Sequence, residues 1–234
     1  MIPLPKEIKA IEKKGSRLII EINPLYPGYG ITIGNSLRRV LLSSLEGGAI
    51  TTVKIKGVQH EFSTIPGVVE DVISIIINLK KLRFKMFTDE PQKGFLKVKG
   101  PAEVKGKDFE LPSQVELVNK NAKVLTITDK KTEVEMEIQI EKGVGYEPVE
   151  MRKGKGKSEI GVIPIDAIYT PIKNVSFKVE NVRVGKRTDF DKLFLDIETD
   201  GTLSPEEAFK KASEILANHF SLFTQGINEE TEKR

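Results

Sequence analysis

The clearest alternation of apolar and polar positions in the chain runs from Thr132 to Glu141. Val134, Met136, Ile138 and Ile140 fall on one side, and glutamate or glutamine occupies the positions between them. A period of two residues predicts a β-strand with one buried face. Shorter patterns of the same kind predict strands at 16–22, 49–56, 175–184 and 193–199, with several more between 95 and 131.

Two later segments carry the periodicity of a helix. In residues 67–80 the polar positions fall in one narrow arc, and this wide apolar surface predicts a helix that is covered on most sides. The last helix begins with Ser204 as its cap, Pro205 in the first turn and Glu207 completing a capping box. Apolar residues then recur at helical spacing as far as Phe223, and the helix is expected to end near Gly226.

A first, shorter helix is predicted at 35–45, after a turn-rich loop with glycines at 28, 30 and 34, and Gly47-Gly48 is expected to stop it. Arg38 falls within its apolar arc, whereas Arg39 points to the opposite side. The pattern alone leaves open an ordinary amphipathic helix with solvated arginines or an interface helix. The apolar arc itself consists of Leu37, Val40, Leu41, Leu42 and Leu45.

The order of these elements predicts an α+β protein with two subdomains. Residues 48–166 are mostly predicted strands and are interpreted as an inserted subdomain. Residues 1–47 and 167–234, from the two ends of the chain, are expected to pair into a helix-and-sheet subdomain.

Composition narrows the possible functions. Lys and Arg number 37 against 34 Asp and Glu, and this small surplus does not identify a nucleic-acid binder. The chain has no cysteine and only two histidines, which excludes disulfides and thiolate metal sites. The first residues lack the apolar core of a signal peptide, and no apolar run approaches the length of a membrane span. A cytoplasmic protein is expected.

Three segments are candidates for chemistry, and each has a plainer alternative. The glycines of 28–34 could cradle a phosphate, but their spacing fits no nucleotide-binding motif and favours a turn. The acidic run 189–200 could bind a divalent cation, although Lys186, Arg187 and Lys192 could pair with it. The basic segment Arg152–Lys157 could touch phosphate or a partner, or be a solvated loop. His60 and His219 are interpreted as structural residues.

The stretch from Gly28 to Ser44, read GYGITIGNSLRRVLLSS, resembles the first signature of the N-terminal domain of bacterial RNA polymerase alpha subunits. Three more segments resemble that family in order and spacing. They are HEFST at 60–64 followed by EDV…NLK at 70–80, VENVRVG with RTDFDKL at 179–193, and ETDGT with PEEA at 198–208.

The resemblance implies a homodimer that assembles DNA-directed RNA polymerase by recruiting its beta and beta-prime subunits. In such a family the first and last helices form the dimer interface, with Arg39 as the main contact to beta. No catalytic residue, cofactor or metal site is expected here, because the catalytic site lies in the large subunits. The implied dimer residues are Leu37, Arg38, Leu41, Leu45, Leu216, Phe220 and Phe223, and the implied large-subunit contacts are Arg39, Leu42, Lys80 and Lys192.

Two departures from the family pattern limit the comparison. Gly143-Val144-Gly145-Tyr146 stands where the family usually has Gly-Arg-Gly-Tyr, so a contact through that arginine is not expected. The family's C-terminal domain, which binds promoter DNA, is expected to be absent, and direct DNA binding is therefore not assigned. Two alternatives are a stand-alone nucleic-acid-binding module and a stand-alone nucleotide-binding enzyme.

Overall fold

A computed structural model describes residues 2–152 and 161–224 of the chain. A 3-10 turn at Gly106–Asp108 lies between its sixth and seventh strands. In chain order the elements are β1 (Glu7–Lys14), β2 (Arg17–Leu25), α1 (Tyr29–Ser43), β3 (Glu46–Ile55), α2 (Val72–Leu79), β4 (Phe84–Met86), β5 (Gln92–Lys99), β6 (Ala102–Lys105), β7 (Val115–Leu117), β8 (Lys123–Ile127), β9 (Glu133–Val144), β10 (Tyr146–Glu147), α3 (Val149–Arg152), β11 (Val162–Pro164), β12 (Ala167–Ile168), β13 (Ile172–Val184), β14 (Arg187–Thr199) and α4 (Pro205–Thr224).

The chain folds into two compact units, and the predicted α+β class is confirmed. Among the described residues, unit 1 comprises 2–45, 172–199 and 203–224, and unit 2 comprises 46–152, 161–171 and 200–202. The boundaries observed along the chain are therefore 45/46 and 171/172, where the sequence placed them at 47/48 and 166/167. No helix within the described ranges is both long enough and apolar enough to cross a membrane.

Unit 1 is a four-stranded antiparallel sheet in the order β1-β2-β14-β13, with α1 and α4 packed against one face. Leu18, Ile20 and Ile22 of β2 alternate inward, and Leu193, Leu195 and Ile197 of β14 pair beside them. The period-two pattern thus builds one apolar surface that both helices cover. Buried Ala208 and Ala212 bring α4 close to this core.

Unit 2 is built on a larger antiparallel sheet in the order β5-β9-β3-β4-β7, and β11 pairs with β3. Unit 2 also contains two two-stranded sheets, β6-β8 and β10-β12. The predicted alternation in β9 is confirmed, since Val134, Met136, Ile138 and Ile140 are all buried. Helix α2 packs on this core.

Several element boundaries differ from those expected. Helix α2 begins only at Val72, because the side chain of Asp71 accepts a hydrogen bond from the amide of Ser74 at 2.8 Å and caps the helix there. Helix α1 begins six residues earlier than predicted, at Tyr29. No element was predicted at 143–152, where the structure has the end of β9, β10 and α3, and residues 153–157 lie outside the described ranges.

The sequence predicted that Gly47 helps to end the first helix. In the structure Gly47 lies in β3, where the backbone of Tyr169 passes very close to it. A Cβ atom at this position would overlap the backbone carbonyl oxygen of Tyr169. The neighbouring atom belongs to the main chain, so it cannot move aside by a change of rotamer. The glycine is therefore required by close packing within unit 2.

Replacing Gly47 with alanine is expected to destabilise the protein by about 3 kcal/mol, the upper part of the usual range for overpacking. The midpoint of thermal or urea unfolding measures the change. Glu46→Ala is the matched control, because Glu46 is exposed and its ion pair with Lys142 lies at the surface. Equal stabilities of the two variants would contradict the close-packing explanation.

Candidate protein interface

The start of α1 is held by one buried carboxylate. Asp191, on β14, is only 7% exposed, and its Oδ2 atom accepts hydrogen bonds from the amides of Gly28 and Gly30, both at 2.9 Å. A negative charge at this end of a helix is favoured by the helix dipole and satisfies amides that lack intrahelical partners. Gly28 itself has φ +87°, in the left-handed region that glycine adopts readily.

Two further glycines let α1 approach the sheet closely. A Cβ atom on Gly30 would lie 2.8 Å from Cγ1 of Val179, and one on Gly34 would lie 2.7 Å from the ring of Phe177. The glycine-rich segment is thus mostly the first turns of a helix rather than the predicted loop. The carboxylate of Asp191 already occupies the helix N-terminus where a bound phosphate would sit, which argues against the nucleotide-binding alternative.

The acidic run of β14 is largely paired with cations, as its plainer interpretation expected. Asp196 forms a two-pronged pair with Arg17, with a shortest distance of 2.6 Å. Arg187 lies 2.7 Å from Asp189 and holds the pKa of that carboxyl below its usual value. Among the described residues no cluster of three or more acidic or histidine side chains has the arrangement of a metal site.

Most of the predicted apolar arc packs on its own sheet, but Leu42 is 41% exposed and Leu45 lies just beyond the end of α1. Leu37, Leu41 and Leu45 are buried in the core of unit 1 and so cannot present surface to a partner. This corrects their assignment as interface residues. They fix the position of the helix from beneath, and contacts with partners must come from its other faces.

The exposed side of α1 carries the two arginines. Ile31, Asn35, Arg38 and Leu42 follow one another at helical spacing and are all exposed, and Arg38 donates a hydrogen bond to Oδ1 of Asn35 at 3.2 Å. The sequence predicted Arg38 within the apolar arc, but the structure places it on the exposed side of the helix. Arg39 lies about 100° further round the helix. Within the described part of the chain its guanidinium has no hydrogen-bond or ion-pair partner.

The second half of α4 leaves large apolar side chains uncovered. Phe220 is 57% exposed, Leu222 59% and Phe223 74%, and the rings of Phe220 and Phe223 meet edge to face with centroids 5.9 Å apart. Leu216 lies on the same face at the edge of the core. Large exposed apolar side chains grouped at one end of a helix are typical of an interaction site.

The other two predicted large-subunit contacts, Lys80 and Lys192, already have carboxylate partners within the chain. Lys80, at the end of α2, lies 2.9 Å from Asp166 and lowers the pKa of that carboxyl. Lys192 is 3.6 Å from Glu21 and 5.8 Å from the centroid of the Phe194 ring. Both ammonium groups are thus engaged within their own units, and neither has the unpaired character of Arg39.

Two other residues, His219 and Arg152, lie elsewhere than expected. His219 is exposed rather than packed, and its Nδ1 lies 2.8 Å from the carbonyl oxygen of Ile215. His60 is also exposed, beside Ser63. Arg152 points inward and donates to the carbonyl oxygens of Thr51 and Ile165, so it does not belong to an exposed basic loop. Residues 153–157 of that predicted loop lie outside the described ranges.

Sequence reasoning missed Asp191, Ile31 and Leu222. Asp191 was grouped with the acidic run, because nothing in a single sequence shows that its side chain meets the amides of Gly28 and Gly30. Ile31 could have been found from the helical spacing that aligns it with Arg38 and Leu42. Leu222 lies about 100° from Phe223 around α4, so spacing alone does not place it on the predicted interface face.

Comparison with known proteins agrees with this architecture. The sequence model of the RNA polymerase Rpb3/RpoA insert domain matches residues 53–170, which lie within unit 2. The chain is 46% identical over 229 residues to the DNA-directed RNA polymerase subunit alpha of Carboxydothermus hydrogenoformans, covering 97% of this chain and 72% of that protein. Alpha subunits of Syntrophomonas wolfei and Prosthecochloris aestuarii are 46% and 47% identical, with 69% and 67% of their lengths covered. The chain belongs to the DNA-directed RNA polymerase alpha subunit family.

Asp191→Ala is expected to lower the free energy of unfolding by about 2–3 kcal/mol, since it removes two charge-assisted hydrogen bonds, one from the buried amide of Gly30 and one from the partly buried amide of Gly28. Chemical denaturation at neutral pH measures this loss. The control is Asp189→Ala, because Asp189 is exposed and its pair with Arg187 contributes at most about 1 kcal/mol. A loss no larger than that of the control would refute the proposed role of Asp191 in holding α1.

Proposed function

We propose that this chain is an assembly platform of DNA-directed RNA polymerase, which forms a homodimer and recruits the beta and beta-prime subunits for transcription. Membership of the alpha subunit family supports the general role. The observation that carries the dimer is the uncovered apolar end of α4, with Phe220, Leu222 and Phe223 more than half exposed. Such a surface is stable in water when another protein covers it.

The dimer interface in this proposal is formed by Leu216, Phe220 and Phe223 of α4, with Arg38 from α1. Aromatic residues and arginine are enriched at protein interfaces, where rings supply apolar area and the guanidinium supplies directional hydrogen bonds. A two-fold dimer uses the same patch on both copies, so each of these side chains would be buried twice. Leu37, Leu41 and Leu45 support the interface from inside the protomer.

The contact to the beta subunit is assigned to Arg39 and Leu42. Both are exposed and adjacent on α1, and they pair an unengaged cation with an apolar side chain that is 41% exposed. Arginine is enriched at interface hot spots. Lys80 and Lys192 remain secondary candidates for large-subunit contacts, and each would first have to exchange its present carboxylate partner.

A symmetric dimer that meets two dissimilar large subunits uses identical residues unequally in its two copies. In this proposal the chain contributes to nucleotidyl transfer only as a subunit, and catalysis belongs to the large subunits. No catalytic residue, cofactor or metal ligand is assigned to it. The proposed location is the cytoplasm, where a bacterial polymerase works.

Phe223→Asp is expected to shift the chain from dimer to monomer, because it places a charge in an apolar interface twice per dimer. We expect the dimer dissociation constant to rise at least about 30-fold, the equivalent of about 2 kcal/mol. Sedimentation velocity over a concentration series measures it. Phe62→Asp is the matched control, since Phe62 of unit 2 is 76% exposed and lies outside the proposed interface.

If Phe223→Asp leaves the sedimentation coefficient unchanged at micromolar concentration, the proposed dimer surface is wrong. Dissociation by both variants would mean that the added negative charge, rather than the loss of this surface, causes the effect. The expected pattern is dissociation by Phe223→Asp alone.

Arg39→Ala is expected to keep the dimer intact while weakening capture of the beta subunit at least about tenfold, since about 1.4 kcal/mol corresponds to that factor. The yield of dimer–beta complex after co-expression and size-exclusion chromatography measures capture. Lys14→Ala, which removes an exposed charge from β1 of the same unit, serves as the control. An unchanged yield for Arg39→Ala would exclude this residue as the main contact.

A further inference from the structure

Three exposed lysines that are distant in the sequence lie beside one another in unit 2. The side chain of Asn119 donates a hydrogen bond to the carbonyl oxygen of Lys81 at 2.8 Å, and Lys120 follows it in the chain. The amide of Lys107 donates in turn to the carbonyl oxygen of Lys120, also at 2.8 Å. Asn119 also accepts from the amide of Arg83 at 2.8 Å, which fixes the turn after α2 against this segment.

The charges of this lysine cluster, Lys81, Lys107 and Lys120, are not neutralised by carboxylates. Within ranges 2–152 and 161–224 none of the three has an ion-pair partner. Lys81 donates its ammonium to the neutral Oδ1 of Asn78 at 3.1 Å.

The neighbouring lysines behave differently. Lys105 lies 3.6 Å from Glu103, and Lys123 lies 2.9 Å from Glu70. Burial alone would raise the pKa of Glu70, but hydrogen bonds from Lys123 and from the amide of Thr126 outweigh it and lower that pKa. The carboxylate of Asp108, beside Lys107 in the chain, accepts from the amide of Lys105 at 2.7 Å. Local acids are thus committed to other groups, and the lysine cluster keeps a surplus of positive charge.

We propose that the lysine cluster binds the phosphate backbone of duplex DNA without reading its sequence. Lysine is depleted at protein–protein interfaces, whereas it is a standard ligand for backbone phosphates. The side chains joined to the cluster by hydrogen bonds are the neutral amides of Asn78 and Asn119, which add no negative charge to it. An acidic protein segment is the competing ligand, and it is an outcome of the test below.

The sequence predicted no direct contact between this chain and DNA. The binding proposed for the lysine cluster is weak and independent of base sequence, and the cluster differs from the basic segment 152–157. The proposal does not depend on the dimer interface, since all three lysines lie in unit 2. DNA binding by the lysine cluster and dimerisation through α4 can therefore be tested independently.

The test is a titration of a fluorescein-labelled 20-base-pair duplex with the 234-residue chain, followed by fluorescence anisotropy between 50 and 200 mM KCl. Lys81→Gln, Lys107→Gln and Lys120→Gln are combined in one variant. A matched triple variant carries Lys14→Gln, Lys99→Gln and Lys173→Gln, three exposed lysines on separate strands. Circular dichroism and the thermal midpoint establish that both variants are folded.

Three phosphate contacts predict that log K falls with log salt with a slope of about −2.7 for the unmodified chain, or about a 40-fold loss of affinity over this range. We expect the cluster variant to lose most of this slope and at least tenfold in affinity at 50 mM salt. The dispersed variant is expected to lose much less, because its lysines do not act at one site.

Equal losses in the two triple variants would overturn the proposal, since they would show an effect of net charge alone. No measurable binding by the unmodified chain at 50 mM salt would also overturn it. Binding of poly-glutamate as tight as that of the duplex, and lost in the cluster variant, would assign the surface to an acidic protein segment instead. Retained affinity for a scrambled duplex sequence supports recognition of the backbone.

Discussion

The position of α1 depends on the buried carboxylate of Asp191. It meets two backbone amides at the start of the helix, and the glycines at 30 and 34 allow the helix to lie directly on β13 and β14. The leucines of the inner face complete the attachment. A helix held in this way presents the opposite side rigidly, and that side carries both arginines proposed to meet other subunits.

Helices α1 and α4 both carry apolar stripes that look alike in the sequence, but the structure buries most of the α1 stripe and exposes the end of the α4 stripe. The inner leucines of α1, Leu37 and Leu41, are buried within the protomer, whereas large apolar side chains in the second half of α4 are exposed. Leu41 is fully buried, and Phe223, at the far end of the other helix, is 74% exposed. Only the second kind of surface can drive association, because only it still has area to remove from water. The proposed dimer therefore rests on the end of α4 more than on the arc of α1.

Much of the fold could be predicted, because β9 and the start of α4 carry clear local sequence signals. The alternation in β9 and the reciprocal bonds between Ser204 and Glu207 were both expected and are observed. Strand β1 was missed because all of its residues are exposed, so no buried face marks it, and only pairing with β2 defines it. The first turns of α1 were missed because their glycines resemble a loop until the sheet that they contact is known. Contacts between distant residues, such as Lys81 and Asn119, left no signal in the sequence.

The central claim is that the exposed end of α4 is covered by a second copy of the chain. Sedimentation equilibrium of the unmodified protein at micromolar concentration tests this most directly, since it yields mass without reference to shape. The proposed dimer requires a mass of twice 26.1 kDa that falls towards the single-chain value only on strong dilution. A mass of 26.1 kDa across the whole micromolar range would contradict it.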